Sequence, residues 1–507
     1  MFNPGDHAAP KTRRKPEVAI VGAGMSGVLA AIRLREAGID TFTIYEKAAS
    51  VGGTWRDNTY PGLSCDVPAH MYTYSFESNP DYSQRFAEGP EIRQYFERVA
   101  EKYDVLPKIK FGKELVSAKR HDGRWHMKTQ DGEDVVADIV ICASGVLHHP
   151  EYPNIEGLES FAGSKFHTAR WDHSVDLADK KVGIIGTGST SVQVVPAIID
   201  KVGHLSIFQR TPQWIMPLAQ KVYNKKSKER LRRNPKLAAR LRKIYSWIFE
   251  QTFAKAVIGG KLPQAYVGWA CRQHLKSKIK DPVLRKIMTP DYQPMCKRII
   301  IGNGFYEAIQ RPQASMVIDD IERIEPAGVR TKDGKLHQLD VLILATGFKA
   351  HNFMRPMEMV SETGLTIEQA WENGTEAHRS IAIPGFPNFF MLIGPNSPVG
   401  NYSLISIAEL QVNYILQLID LWRDERCDEI VPKAEATTLF NDALKGAMRG
   451  TVWVSGCQSW YLDKNGNPAL WPWSYDRFRQ DMDHPVLEEF QLKMRGSNST
   501  ETAEAGA

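Results

Sequence analysis

A chain of 507 residues, 42% of them hydrophobic, is too long for a single core and apolar enough to fill two or three. The net charge of +5 is mild, and no nucleic-acid partner is expected from it. The six cysteines, Cys65, Cys142, Cys271, Cys296, Cys427 and Cys457, form no C-x-x-C pair or metal-ligand cluster, which argues against a disulfide framework, a metal site and a dithiol redox centre. Residues 1–17 lack the apolar core of a secretory signal and no run of 18 apolar residues occurs, so a soluble cytoplasmic protein is expected.

The first element with chemical content is PEVAIVGAGMSGVLAAIRLREAGIDTFTIYEK, residues 16–47. A strand over 18–21 runs into Gly22-x-Gly24-x-x-Gly27 and an alanine-rich helix, and a second strand over 41–45 ends in Glu46. One glycine makes the tight turn, one admits a pyrophosphate to the backbone and one lets helix and strand pack closely; the helix N-terminus then faces the phosphates. Glu46 stands where a carboxylate accepts hydrogen bonds from a ribose diol. Glycines that serve packing alone are the competing explanation, and the full strand, turn, helix, strand and acid context weighs against it.

Further along, FAGSKFHTARWD (161–172) has no apolar periodicity long enough for an element and reads as a loop between domains. It is followed by KKVGIIGTGSTSVQVVPAII, in which Gly186, Gly188 and Ser191 repeat Gly22, Gly24 and Gly27 at an offset of 164 residues. The same offset carries Glu46 onto Arg210. A carboxylate at that position repels a ribose 2′-phosphate and an arginine pairs with it, so the first site suits FAD or NAD and the second NADP. Thr211 adds a hydroxyl beside Arg210. A solvated strand end is the plainer account of that arginine.

Residues 217–296 interrupt the second unit and read as a helical insertion; from 221 to 250 they carry 11 Lys or Arg against two Glu. Such a run is ordinarily a solvated helix face, with weak contact to a membrane surface through 221–243 as the alternative. TQDGEDVVADIVICASG (129–145) and TKDGKLHQLDVLILATG (331–347) align at an offset of 202, each a D-G turn followed by the strand that closes one nucleotide domain. The expected fold is therefore α/β, with two Rossmann-like dinucleotide-binding domains, the second inserted into the first, and a helical insertion. The limits are 1–150 and 384–507 for the FAD domain, 151–216 and 297–383 for the NADP domain, 217–296 for the insertion and 495–507 for a disordered tail.

Residues 161–172 match F-x-G-x-x-x-H-T-x-x-W-[PD] throughout, at Phe161, Gly163, His167, Thr168, Trp171 and Asp172. On these residues the chain resembles the type I Baeyer–Villiger monooxygenases, a branch of the class B flavin-dependent monooxygenases, over essentially its whole length. The resemblance implies that the linker couples movement of the two domains, with His167 grouped with the catalytic residues as a conformational organiser. A second family pattern is met by Gly52, Gly53, Trp55, Tyr60, Pro61, Gly62 and Asp66, which implies flavin contacts from Gly53, Thr54, Trp55 and Asp66. A third, P-x-x-K-R, is met by Pro294, Lys297 and Arg298. It implies that Arg298, held by Asp66, stabilises developing negative charge in oxygen transfer, and that Lys297 assists Arg210 on the 2′-phosphate. Trp460 stands where the family places a tryptophan near the nicotinamide. The implied cofactors are FAD and NADPH, and the implied reaction takes O2 and a small-molecule ketone to an ester or lactone. An N- or S-oxygenating enzyme of the same architecture and a non-enzymatic NADPH sensor are the alternatives; the identity of the ketone and the oligomeric state are not readable from the chain.

Overall fold

The computed structural model describes residues 13–400, 402–456, 462, 465–466 and 469–494. The expected tail 495–507 and Trp460 lie outside the described residues. Two five-stranded parallel sheets organise the chain. The first runs Phe389–Met391, Ile139–Cys142, Val18–Val21, Phe42–Glu46, Ile109–Phe111. The second runs Ala314–Val317, His204–Phe208, Lys181–Ile185, Val341–Leu344, Ser164–His167. The near-continuous apolar runs at 18–21, 139–142 and 341–344 are what a parallel sheet covered on both faces demands. Ile20 sits between Ile44 and Ile141, and Ile184 between Ile207 and Ile343.

Both sequence repeats appear in this topology, the first of them with a shift. The closing strands obey the 202 offset: Val18 pairs with Ile139, and Val182 with Val341. In the first sheet Val21 pairs with Tyr45, but in the second Ile185 pairs with Phe208, one residue earlier than an offset of 164 requires. The Gly22 N–H donates to the Tyr45 carbonyl and the Gly186 N–H to the Phe208 carbonyl, which fixes the same equivalence. The spatial counterpart of Glu46 is thus the buried Gln209, and Arg210 corresponds to Lys47. The connection into the second strand is one residue shorter in the second unit, and a constant offset conceals that.

Two more readings are corrected by strand pairing. Residues 164–167 are not loop: Ser164–His167 is the edge strand of the second sheet, parallel to Val341–Leu344. Four residues on a sheet edge are too few to show a period. The return to the first unit also precedes the expected boundary at 384, because Glu358–Val360 pairs in parallel with Leu115–His121 at the edge of the first unit's mixed four-stranded sheet.

The insertion consists of helices Lys225–Arg233, Pro235–Phe249, Lys261–Lys278 and Pro282–Ile287. Asn224 and Asn234 cap the first two, accepting from the N–H groups of Ser227 and Leu237. The second continues through a π turn, Glu250–Ala254, and Lys255–Val257 before Gly259 (φ +94°) reverses the chain. Leu404–Arg423 is long and apolar enough to cross a membrane by length and composition, but 67% of its most apolar window is buried against the rest of the protein, including the helix Met25–Glu36.

Candidate active site

A single cleft of about 1440 Å³ is lined from both units. Its walls include the two glycine turns, the segment 52–67, Arg210, Lys297 and Arg298.

Gly22 takes φ +97°, and a Cβ there would lie 2.9 Å from the Ala143 carbonyl oxygen; Gly186 takes φ +109°, with Ala345 oxygen 2.4 Å from the same imagined atom. Each turn is thus pressed onto its own closing strand. A Cβ on Gly27 would stand 1.9 Å from the Gly22 oxygen. At the corresponding place in the second turn, the Ser191 hydroxyl instead donates to the Gly186 oxygen at 2.6 Å, so this helix stands off far enough to admit a side chain. The helices Met25–Glu36 and Ser189–Ile198 have glycine N-caps, Gly24 and Gly188, without a side-chain hydrogen bond. Their leading N–H groups and partial positive charge face the cleft, an arrangement that binds phosphate. Gly24 and Gly53 face each other across the first turn, with the Cβ position of Gly53 3.0 Å from the Gly24 Cα. Side chains there would close the approach to the backbone.

Glu46 is 4% exposed. Its carboxylate accepts from the N–H groups of Ala23 (2.8 Å) and Ala48 (2.9 Å) and pairs with Arg56 at 3.1 Å. Arg56 follows Trp55 at a position the second pattern leaves unspecified, so the sequence does not single it out. Thr54 opens the short helix Thr54–Asp57, and the Trp55 indole N–H donates to the buried Tyr72 hydroxyl at 3.1 Å.

Asp66 and Arg298, 232 positions apart, meet in the cleft: Nη2 lies 2.9 and 2.7 Å from the two carboxylate oxygens, and Nε 3.2 Å from one of them. Arg298 is placed by the two-residue strand Ile300–Ile301, which pairs with Ile215–Met216. Asp66 is placed from the other side. The Tyr60 hydroxyl donates to Gln193 Oε1 at 3.0 Å, and Gln193 Nε2 donates to the Ser64 carbonyl at 2.9 Å. Gln193 belongs to the helix of the second turn, so the segment 60–66 is seated on the opposite unit. Burial pushes the Tyr60 phenol up to about 12, which keeps it a neutral donor. Gln193 falls two residues beyond the glycine motif, where no pattern marks it in the sequence.

Lys297 stacks its ammonium 4.6 Å from the Tyr292 ring centre. It is held below the ordinary lysine value first by burial and then by the charge of Arg210, with Asp291 opposing. Two cations gathered at one rim are the electrostatic signature of an anion site. The Thr211 carbonyl accepts from the Thr187 hydroxyl at 2.9 Å, tying this rim to the second turn.

His167 is 1% exposed and lies behind the cleft wall rather than in it. Its Nδ1 accepts from the Ala169 N–H at 3.0 Å, and its ring packs on Tyr152 and Phe348. Burial lowers it to about 4, so it is neutral at pH 7. Phe166 and Trp171 meet edge to face, and Asp172 caps the following turn through the Ser174 N–H and hydroxyl. Residues 161–172 therefore join the edge strand to the loops at 152 and 348, both of which line the cleft.

Cys65, Cys142, Cys271 and Cys427 are free and buried, whereas Cys296 is disulfide-bonded, a link the cysteine spacing did not suggest. Among the described residues no group of three His, Cys, Asp or Glu could hold a metal ion.

Residues 15–363 match the family model described as flavin-binding monooxygenase-like. An uncharacterized monooxygenase of Mycobacterium bovis is 47% identical over 95% of this chain and 97% of its own. A Baeyer–Villiger monooxygenase of Streptomyces coelicolor is 37% identical over 94% of this chain and 92% of its own. Among solved structures, an oxidized steroid monooxygenase bound to NADP superposes with a TM-score of 0.84 at 27% identity, covering 95% of this chain and all of that one. The chain belongs to the flavin-binding monooxygenase-like family.

Proposed function

We propose that the chain is an FAD-containing, NADPH-dependent monooxygenase that inserts one oxygen atom next to a ketone carbonyl, giving an ester or lactone, the Baeyer–Villiger oxidation. The observation that carries this reading is the convergence in one cleft of two phosphate-binding helix N-termini and the Arg298–Asp66 pair.

The residues present fit both cofactors. The opposed Gly24 and Gly53 leave room for a pyrophosphate against bare backbone, and Glu46, oriented by two N–H groups, presents a carboxylate to a ribose diol. In the second turn the Cβ position of Gly188 has nothing within 4 Å, and Arg210 and Lys297 supply the paired charge that a 2′-phosphate neutralises. Bound flavin would supply the hydride acceptor and the oxygen carrier. The protein's part is positional and electrostatic. Arg298 places a fixed positive charge where oxygen transfer develops negative charge, Asp66 holds that guanidinium, and Trp55 with Thr54 line the wall beside it. His167, neutral and buried, organises the loops at 152 and 348. The weak surface contact expected of 221–243 belongs to the same reading, as part of how a lipophilic ketone reaches the cleft.

Arg210→Ala is expected to raise the KM for NADPH roughly 10- to 100-fold, the worth of a charged hydrogen-bond partner, while leaving NADH use near its parent value. Steady-state kinetics with both coenzymes check this; equal losses would remove Arg210 from the phosphate site. The function itself is tested by mass spectrometry of products from matched ketones, amines and sulfides. Esters from ketones support the proposal, and N- or S-oxides with unreacted ketones replace it with the heteroatom-oxygenating alternative.

A further inference from the structure

We infer that the helical hairpin formed by residues 235–278 is a docking surface for an anionic lipid bilayer. The two exposed tryptophans among the described residues, Trp247 (62%) and Trp269 (56%), are both on it. On the arm Pro235–Phe249 the outward residues are Lys236, Arg240, Lys243 and Trp247, spaced by four, three and four so that they form one stripe, with Ile244 and Ile248 beside it. On the arm Lys261–Lys278 the outward stripe is Leu262 (84% exposed), Tyr266 and Trp269, followed by Arg272 and Lys276. The Tyr266 and Trp269 rings lie 6.3 Å apart and leave their outer faces to solvent.

The arms are joined through Gly259 and Gly260, and the arm Lys261–Lys278 packs back against residues 250–257. On each outward stripe the aromatic residue lies nearer the reversal than the basic residues do, and the exposed Lys255 and Lys261 flank the reversal itself. At 1.5 Å per residue the two tryptophans stand at similar heights, each roughly 15 Å from the reversal. This is the pattern of an interfacial element: aromatic and aliphatic groups that enter the acyl boundary, flanked by long basic side chains that stay with the headgroups.

Charge selects the occupant. From 221 to 280 the chain has 17 Lys or Arg against two Glu, a net +15 in a protein whose total is +5, so the remainder carries −10. Lys236, Arg240 and Lys243 make no ion pair with any described residue. A second copy presenting the same face would be repelled, whereas an anionic surface is attracted by each such cation. The hairpin also adjoins the cleft: Val257, at its tip, sits 3.2 Å from the Cβ position of Gly400, and Gly400 lines the cleft wall. Docking would hold that wall of the cleft close to a store of lipophilic molecules.

The test is sedimentation of the flavin-loaded protein with vesicles of phosphatidylcholine alone or with about a third phosphatidylglycerol, over a range of salt. Binding to the anionic vesicles only, weakening as salt rises, is expected. Trp247→Ala with Trp269→Ala should weaken it at least tenfold, and Lys236→Glu with Arg240→Glu and Lys243→Glu by roughly 100-fold or more; flavin content and Tm of both variants should match the parent, which shows that they fold. Absence of parent binding to anionic vesicles, or equal binding by parent and folded variants, would overturn the inference. So would a concentration-dependent dimer that the tryptophan variant abolishes, because the face would then belong to a second copy. Vesicle binding is read without turnover, so its failure leaves the ketone reading untouched.

Discussion

Arg298→Ala is expected to separate the two halves of the reaction. NADPH should still reduce the flavin at a measurable rate, because hydride transfer places no negative charge on oxygen at the Arg298 position. Ester formation should fall by roughly two to three orders of magnitude, as when other preorganised donors to a developing oxyanion are removed, and the oxygen consumed should be released as hydrogen peroxide. Asp66 bears on the interpretation. Its carboxylate receives the Arg298 guanidinium through Nε and Nη2, and removal of the arginine leaves a cleft-wall carboxylate without that partner. Asp66→Ala is therefore the companion variant: it leaves the cation present but removes the carboxylate that orients it, and a smaller loss of coupling is expected. Stopped-flow reduction and product analysis on the same preparations decide the matter. Ester yield per NADPH near the parent value in Arg298→Ala would make the pair a structural clamp between the units and nothing more.

Gly27→Ala is expected to cost the protein its flavin. The added Cβ would lie 1.9 Å from the Gly22 carbonyl oxygen, a backbone atom within the turn that Ala143 already presses from the other side. The helix must move away, and its N-terminus with it. Overpacking of this kind costs about 1–3 kcal/mol in stability, and loss of phosphate contact at the displaced helix adds to the loss in binding. Flavin content after purification should fall well below one per chain and Tm should drop. Gly188→Ala is the control for steric cost, because its Cβ position has nothing within 4 Å and its Tm should stay near the parent. A flavin-replete Gly27→Ala protein of parent Tm would contradict the account of the first turn.

Much of this arrangement was legible in the chain because nucleotide sites write their requirements locally. Gly22, Gly24, Gly27 and Glu46 lie within one strand, helix, strand unit, and each residue type answers a backbone or charge demand of that unit. The closing strands were readable as a repeat because their turns reuse one device: Thr129 donates to Asp131, and Thr331 to Asp333. Contacts between units left weaker traces. Gln193 reaches Tyr60 and Ser64 from over 100 positions away and has no local pattern to mark it. The offset of 164 led to Arg210, which lines the cleft near Lys297, but to the wrong counterpart for Glu46, since register is set by hydrogen bonds between strands and a one-residue change in a connection is invisible to a constant spacing. The exposure of Trp247 and Trp269 was likewise hidden: their helices have buried faces, and the sequence does not say which aromatic residues fill them. The role expected of Trp460 falls outside the described residues.

One oxygen atom of O2 is expected to pass to a ketone at the cleft that takes FAD and NADPH. The most direct measurement supplies the flavin-loaded protein with NADPH, a ketone it consumes and isotopically labelled O2, and counts label in the product against NADPH oxidised. One labelled oxygen in each ester or lactone per NADPH is the predicted result. NADPH oxidation that yields only hydrogen peroxide across linear, cyclic and aromatic ketones, or a product whose new oxygen carries no label, would contradict it.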